Sequence, residues 1–132
     1  MGLEDLEVHK LAKQFSNEIW EIVLLFNYFE KDTVGKQLCR SADSISANIA
    51  EGYGRFFYKE NKQFCYYSRG SIFESKDWIT KLKDRKIITE ERFLDLDDKL
   101  NTIGKMLNGY IKAIGKTNTE EIFGPVVTLQ PF

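Results

Sequence analysis

Cysteine, proline and histidine are scarce in this sequence, and their scarcity limits its chemistry. The 132 residues include two cysteines, two prolines and one histidine. Cys39 and Cys65 stand far apart without a C-x-x-C spacing, so we interpret them as reduced structural thiols rather than as a disulfide or a metal pair. His9 is the only histidine, which argues against a Ser-His-Asp triad and against the dimetal sites of helical bundles. We therefore expect a protein without enzymatic activity or a bound metal.

Neither sign of charge dominates the sequence. It has 19 basic and 20 acidic residues and a formal net charge of −1. This balance argues against a surface devoted as a whole to nucleic acid or anionic lipid, so any such contact has to come from a local patch. No apolar run approaches the roughly 18 residues that a membrane span requires, and the opening MGLEDLEVHK lacks the basic and apolar regions of a signal peptide. We expect a cytoplasmic protein with no membrane partner.

The residues that are present follow a helical period in four segments. Hydrophobic residues make up 42% of the chain, which suits the core of one domain. The first segment, residues 4–29, has an apolar residue at every third or fourth position, and the EKDTVG stretch at 30–35 is predicted to end it. Its predicted stripe consists of Val8, Ala12, Phe15, Ile19, Ile22, Phe26 and Phe29.

The second segment, residues 34–53, is rich in small side chains. Its predicted core stripe consists of Leu38, Ala42, Ile45, Ile49 and Gly52. Its other faces carry Ser41, Ser44, Ser46, Ala47 and Ala50. A helix that faces solvent would more often carry Lys and Glu at such positions. We therefore predict a central helix that packs closely within the subunit and is a candidate for contacts between subunits.

The third and fourth segments, residues 59–86 and 89–114, complete the pattern. The predicted buried face of the third consists of Phe64, Tyr67, Ser71, Trp78 and Leu82. In the fourth, Thr89 is the predicted N-cap and Gly115 the predicted stop. The core stripe of the fourth consists of Phe93, Leu96, Leu100, Ile103, Leu107, Tyr110 and Ile114.

Four helices joined by short connections predict an all-α fold, an antiparallel up-down-up-down four-helix bundle over residues 1–115. The remaining residues, 116–132, break the helical pattern with a Gly-Pro pair followed by extended-type apolar residues. We expect this C-terminal tail to be extended or disordered, either a frayed end or a strap across its own bundle or a neighbour.

One motif is specific enough to indicate a family. The stretch RSADSISANIAEGYGR, residues 40–55, resembles the signature of four-helix-bundle proteins encoded by intervening sequences of 23S ribosomal RNA genes, sometimes described as ribosomal proteins. RGSIFE, residues 69–74, is similar to the R-G-S-x-x-E of that family's third helix. The opening LEVHKLAKQF is a weaker match, because His9 stands where the family pattern has Trp. The matching signature positions are Arg40, Ala42, Ser44, Ile45, Asn48, Ile49, Ala50, Glu51, Gly52, Gly54 and Arg55.

The resemblance implies mostly architecture. Known relatives in this family look like homopentamers of four-helix bundles around a central channel, so the resemblance implies a homopentamer here. A related branch is the accessory protein of diversity-generating retroelements, which binds a reverse transcriptase and nucleic acid through a basic surface. With a pI of about 5.9, this chain departs from the basic balance of that branch.

Two groups of side chains are candidate sites. Asn48 and Glu51 lie beside the core stripe of the second segment, and we predict that they form a buried structural network with Ser71 and Glu74 of the third. The alternative is a catalytic cleft at the same place. The cations Arg55, Lys59 and Lys62 stand among Tyr53, Phe56, Phe57 and Tyr58, a mixture that suits single-stranded nucleic acid. The alternative is that these aromatic residues are packed and the lysines merely solvated.

No cofactor site is predicted, because the sequence has no phosphate-binding loop and its Gly52-Tyr53-Gly54 lacks the strand of a dinucleotide fingerprint. Two functions remain open. The first is a homo-oligomeric module that binds RNA or a nucleoprotein partner. The second is a structural or protein–protein interaction bundle with no nucleic-acid role.

Overall fold

The computed structural model describes residues 2–115, and over that range it contains four long helices and no strand. The all-α class predicted from the sequence is therefore confirmed for this part of the chain. A short 3-10 turn, Leu3–Asp5, precedes the first helix. The four helices are α1 (Glu7–Leu24), α2 (Lys36–Tyr53), α3 (Tyr58–Asp84) and α4 (Glu90–Ala113).

The helices enclose a single apolar core. Helix α2 packs against both α1 and α3, and α4 packs against both α3 and α1. The core stripe predicted for α2 is confirmed, because Leu38, Ala42, Ile45 and Ile49 are all fully buried. The largest side chains that share this core with them are Phe15, Ile19, Ile79, Leu82, Leu96, Leu100, Ile103 and Leu107.

The boundary between the first two helices differs from the sequence prediction. Helix α1 ends at Leu24 rather than near Phe29, and residues 30–35 are helical rather than a break. The cause is a capping box: the Asn27 side chain accepts a hydrogen bond from the Glu30 amide (2.8 Å), and Glu30 Oε1 accepts one from the Asn27 amide (3.1 Å). This box starts a new helical turn, so Phe29 points to solvent and is 74% exposed.

A short π-helical segment, Lys31–Gly35, joins that turn to α2. It brings the chain close to α1. A Cβ at Gly35 would lie 2.8 Å from Val23 Cγ1 and 3.0 Å from the Glu30 carbonyl oxygen. Only glycine fits at this crossing without displacing its neighbours.

The buried face of α3 also differs from the prediction. Phe64, Ser71 and Trp78 are only half-buried and Tyr67 is exposed, whereas Leu82 is buried as predicted. The residues that face the core are Tyr58, Asn61, Cys65, Ser68, Ile72, Ser75, Ile79 and Leu82. Helix α3 is thus rotated by roughly one position, because its close contact with α2 accommodates small side chains better than aromatic rings.

Helix α4 follows the sequence prediction closely. The Thr89 hydroxyl accepts a hydrogen bond from the Arg92 amide (3.0 Å), which confirms Thr89 as the N-cap. Most of the predicted stripe is buried, although Phe93 and Tyr110 are only half-buried. Gly115 has a φ of 72°, the left-handed conformation that ends many helices at glycine.

Polar pairs fix the level of each helix against its neighbour. Between α3 and α4, Lys76 pairs with Asp97 (2.6 Å), and Asn61 Nδ2 donates to the Tyr110 hydroxyl (3.2 Å). Between α1 and α4, Lys99 donates to Glu18 (2.8 Å). Between residues 2 and 115 no helix is both long and apolar enough to cross a membrane. The tail predicted for residues 116–132 lies outside the described residues.

Candidate functional site

The end of α2 and the start of α3 approach each other closely at Gly52. A Cβ at Gly52 would lie 2.7 Å from Asn61 Oδ1, 2.9 Å from the Asn61 carbonyl oxygen and 3.0 Å from Phe64 Cβ. A methyl group here would clash with the backbone of α3, which cannot move aside as easily as the end of a flexible side chain. Gly52 therefore sets the distance between the two helices.

Serine hydroxyls line the rest of the α2–α3 contact. Ser41 Oγ and Ser75 Oγ lie 2.9 Å apart, and both residues are buried. Ser68 Oγ donates to the Ile45 carbonyl oxygen at 2.7 Å. Because each hydroxyl has a partner, these polar groups are buried without the penalty of an unmade hydrogen bond.

A second buried polar group lies where α3 meets α4. Asn61 is 1% exposed and joins the Tyr110 hydroxyl to the Cys65 thiol, whose sulfur lies 3.7 Å from Asn61 Oδ1. Burial raises the pKa of the Cys65 thiol to about 12, so it is protonated at neutral pH. Burial also raises the pKa of Tyr110 to about 12. Since a nucleophilic cysteine must be a thiolate, this thiol fits a structural role.

The structure does not bring the predicted network of Asn48, Glu51, Ser71 and Glu74 together. Asn48 Nδ2 donates to the Ser44 carbonyl oxygen within its own helix (2.9 Å). The side chains of Glu51 and Glu74 are exposed, and they pair with Arg55 (3.4 Å) and Arg40 (3.8 Å). On α3 the buried polar line lies one position around the helix, at Ser68 and Ser75, which hydrogen-bond to the Ile45 carbonyl oxygen and to Ser41 of α2. Sequence reasoning missed these serines because it placed Ser71, rather than Ser68 and Ser75, on the buried face of α3.

The predicted nucleic-acid patch is present only in part. Arg55 lies between two carboxylates, Glu51 at 3.4 Å and Glu60 at 3.5 Å, and its guanidinium sits 4.6 Å from the centre of the Phe64 ring. Its charge is therefore largely neutralised. Lys59 and Lys62 have no ion pair with any described residue, and Lys59 is exposed.

Some aromatic residues near the α2–α3 connection are packed in the core, and others are exposed and accessible to a nucleic acid. Tyr58 is buried in the core, whereas Phe56 and Phe57 are about half exposed and meet edge to face at 4.9 Å. Only Phe56 and Phe57 remain accessible enough to stack on a base.

The described residues do not form a catalytic centre that we can recognise. His9 is half-buried on α1, and burial together with nearby Lys13 lowers the pKa of its imidazole, so it is neutral at pH 7. No carboxylate or hydroxyl hydrogen-bonds to it within residues 2–115. In the same range no three His, Cys, Asp or Glu side chains converge closely enough to hold a metal ion.

A groove between α3 and α4, here called the α3–α4 groove, was not predicted. Its volume is about 320 Å³, and it lies on the outer surface of the bundle. Three cations line it, together with one exposed aromatic ring and several small polar side chains. Its lining includes Arg69, Phe73, Asn101, Gly104, Lys105 and Asn108.

A second unpredicted feature is a group of large apolar side chains around the end of α1, here called the apolar end patch. Leu25 is 88% exposed and Tyr28 is 82% exposed. All its members fall within ten consecutive residues, and Trp20 and Leu24 are one helical turn apart. The patch consists of Trp20, Leu24, Leu25, Tyr28 and Phe29.

The sequence matches a known family over most of its length. The family model for the 23S rRNA-intervening sequence protein matches residues 4–109. The chain belongs to this family. Among solved structures, a protein of unknown function from the S23 ribosomal protein family of Bacteroides thetaiotaomicron aligns with 80% of this chain and 99% of its own. Its TM-score is 0.75 and its sequence identity 24%, so the likeness shows a shared fold. No curated protein matches the sequence.

The structure explains why the signature of the 23S rRNA-intervening sequence proteins falls on α2. Its apolar positions, Ala42, Ile45 and Ile49, are fully buried, and Gly52 permits the close crossing with α3. Its polar positions form a separate stripe along the outer face of the same helix. That stripe consists of Arg40, Ser44, Asn48, Glu51 and Arg55. One half of the signature therefore serves the fold, and the other half forms a polar stripe that is partly exposed.

Proposed function

We propose that this member of the 23S rRNA-intervening sequence protein family is a non-enzymatic bundle that assembles with copies of itself and binds RNA or a nucleoprotein. The apolar end patch carries the proposal. Leu25, Tyr28 and Phe29 are each at least 74% exposed and stand within five residues. Large exposed apolar side chains that stand this close in the sequence favour an interaction surface, because large apolar patches are rare on monomers and apolar, aromatic residues are enriched in interface cores.

The assembly that we propose is the homopentamer expected from the family resemblance. Aromatic residues such as Trp20 and Tyr28 are enriched in interface cores, where each buries a large area with few rotatable bonds. The half-buried and exposed small residues of α2, such as Ala47, offer a second surface where subunits can approach closely. A cytoplasmic location remains part of the proposal.

We propose an up-down-up-down order for the helices of each subunit. Ser41 pairs with Ser75, while Ile45, later in α2, pairs with Ser68, earlier in α3. The contacts between α3 and α4 show the same reversed order. Lys76 pairs with Asp97, whereas Asn61, earlier in α3, pairs with Tyr110, later in α4. Both observations support antiparallel neighbours.

The RNA half of the proposal is supported by cations that stand beside accessible aromatic rings. Lys59 and Lys62 lack ion pairs among the described residues, and Phe56 and Phe57 are about half exposed next to them. Single-stranded nucleic acid is held by this combination of phosphate contact and base stacking. Repetition of a weak patch around a ring would raise its total affinity through multivalency.

Paired substitutions test the assembly half. We expect Leu25→Ser with Tyr28→Ser to lower the mass measured by sedimentation velocity, because the change removes two exposed anchors of the proposed interface. The matched control is Leu94→Ser with Tyr66→Ser, which removes the same residue types from exposed positions on α4 and α3. An assembly that both pairs leave intact, or that both disrupt equally, would contradict the role of the apolar end patch.

Titration of labelled single-stranded RNA tests the other half. Binding should weaken steeply as salt rises, because phosphate contacts release counterions. If wild-type protein fails to bind RNA even at low salt, the alternative of a structural or protein–protein interaction bundle is favoured. If binding is insensitive to salt, phosphate contacts are not its source and the RNA half of the proposal is wrong.

A further inference from the structure

The α3–α4 groove combines positive charge, an exposed aromatic ring and amide side chains within one concave surface. We propose that this groove holds one nucleotide of a single-stranded RNA, with the phosphate on Arg69 and Lys105 and the base on Phe73. This inference rests on the proposed RNA-binding function and names its site. It differs from the Arg55, Lys59 and Lys62 patch, which lies at the connection between α2 and α3.

The two helices supply the cations from opposite walls. Arg69 on α3 and Lys105 on α4 both line the groove, and neither has an ion pair with a described residue. Lys76 also lines it but is held by Asp97 at 2.6 Å. The lining contains one carboxylate, that of Asp98. Two uncommitted cations against one carboxylate favour an anionic ligand, and a phosphodiester is an anion that both Arg and Lys bind.

Phe73 provides the stacking surface. It is 61% exposed and lies one helical turn after Arg69, so the two side chains share a face of α3. Because this phenyl ring is mostly exposed beside an unpaired guanidinium, it contributes little to the packing of the protein core. A nucleobase stacked on it would cover the ring while its phosphate reaches Arg69.

The floor and the far wall suit the remaining parts of a nucleotide. At Gly104 a Cβ would meet no atom within 4 Å beyond its own chain neighbours and the adjacent backbone of α4, so the groove is open there. Asn101 and Asn108 flank Lys105 at one-turn spacings on α4 and offer amide donors and acceptors for base edges or a ribose hydroxyl. A volume of about 320 Å³ is at the lower end of small-ligand sites and fits one nucleotide rather than a duplex.

The test uses full-length protein and a fluorescein-labelled 12-nucleotide single-stranded RNA, with binding followed by fluorescence anisotropy. We expect Phe73→Ala to weaken binding at least about 5-fold, the lower end for loss of one stacked base. Arg69→Gln and Lys105→Gln should each reduce the slope of log affinity against log salt by about 0.7. The charge control is Lys13→Gln, which removes an exposed cation of α1 and should leave the slope and the affinity unchanged.

A groove-filling variant separates binding from folding. Gly104→Gln places a side chain in the open space and replaces a glycine inside α4, so its melting temperature should equal or exceed that of the wild type. Its RNA affinity should nevertheless fall by a factor similar to that of Phe73→Ala. Excess uridine monophosphate should compete with the strand, and a 12-base-pair RNA duplex should bind more weakly than the single strand.

The outcomes distinguish the groove from the wider proposal. If wild-type protein binds no RNA, both the RNA function and the groove proposal are wrong. If wild type binds RNA, but the groove variants bind as tightly as Lys13→Gln does, the RNA function stands and the groove proposal is overturned. If the groove variants change only the oligomer mass, the groove is a contact between copies of the chain, which also overturns the proposal.

Discussion

Gly52 should be among the least replaceable of the glycines that the structure describes. Changing it to alanine puts a methyl group 2.9 Å from the Asn61 carbonyl oxygen and 3.0 Å from Phe64 Cβ, well inside van der Waals contact. Helices α2 and α3 have to separate, which loosens the contacts of Ile45 and Ser68. Overpacking of this kind typically lowers the free energy of unfolding by about 1–3 kcal/mol. Gly52 is one residue from the end of α2, so the gain in helix propensity is too small to offset this loss.

Gly70→Ala is the matched control. Gly70 is exposed in the middle of α3, and its Cβ would meet no atom within 4 Å. Here only the helix propensity changes, so the free energy of unfolding should rise by about 0.5–1 kcal/mol. Urea denaturation followed by circular dichroism, at one fixed protein concentration, measures both variants. If Gly52→Ala is as stable as Gly70→Ala, the close α2–α3 crossing described above is wrong.

Three further experiments test the buried polar groups and the polar stripe of α2. A double-mutant cycle of Ser41→Ala and Ser75→Ala should give a coupling energy of about 0.5–1.5 kcal/mol, and zero coupling would show that the two hydroxyls do not meet. Glu51→Ala should change the free energy of unfolding by less than about 1 kcal/mol, since the ion pair of Glu51 with Arg55 is exposed. A loss of about 3 kcal/mol or more would instead support the buried network predicted from the sequence. The unfolded Cys65 thiol loses its proton near pH 9 and the folded one near 12, so the free energy of unfolding should fall as pH rises above about 9, by up to about 1.4 kcal/mol per pH unit. This pH dependence should be weaker in Cys65→Ala. An equal slope in both proteins would contradict the burial of the thiol.

Much of the fold can be predicted from the sequence because the core faces of two helices are marked by apolar residues at helical spacing. In α2 and α4 the buried apolar side chains are Leu, Ile and Ala, mostly at spacings of three and four, and the structure confirms most of the predicted positions. The start of the second helical segment was also visible, as the N-Y-F-E capping box at residues 27–30. It was missed because the apolar residues Tyr28 and Phe29 extend the period of α1 past its true end.

The candidate sites were harder to predict for a physical reason. On α3 the core face carries Asn61, Ser68 and Ser75, whose polarity hides their burial from any hydrophobic pattern. Their hydrogen-bond partners lie on other helices, so only the rotation of α3 against its neighbours reveals them. The α3–α4 groove depends likewise on the level at which Arg69 and Lys105 face each other. Helical period alone does not fix that level.

The mass of the wild-type particle in solution tests the central claim most directly. One chain weighs 15.4 kDa, so light scattering during size-exclusion chromatography should give a single peak of about 77 kDa for the proposed homopentamer. The peak should keep this mass as the protein is diluted through the micromolar range. A monodisperse 15.4 kDa monomer at micromolar concentration would contradict the account, because the apolar end patch would then face water in the functional protein.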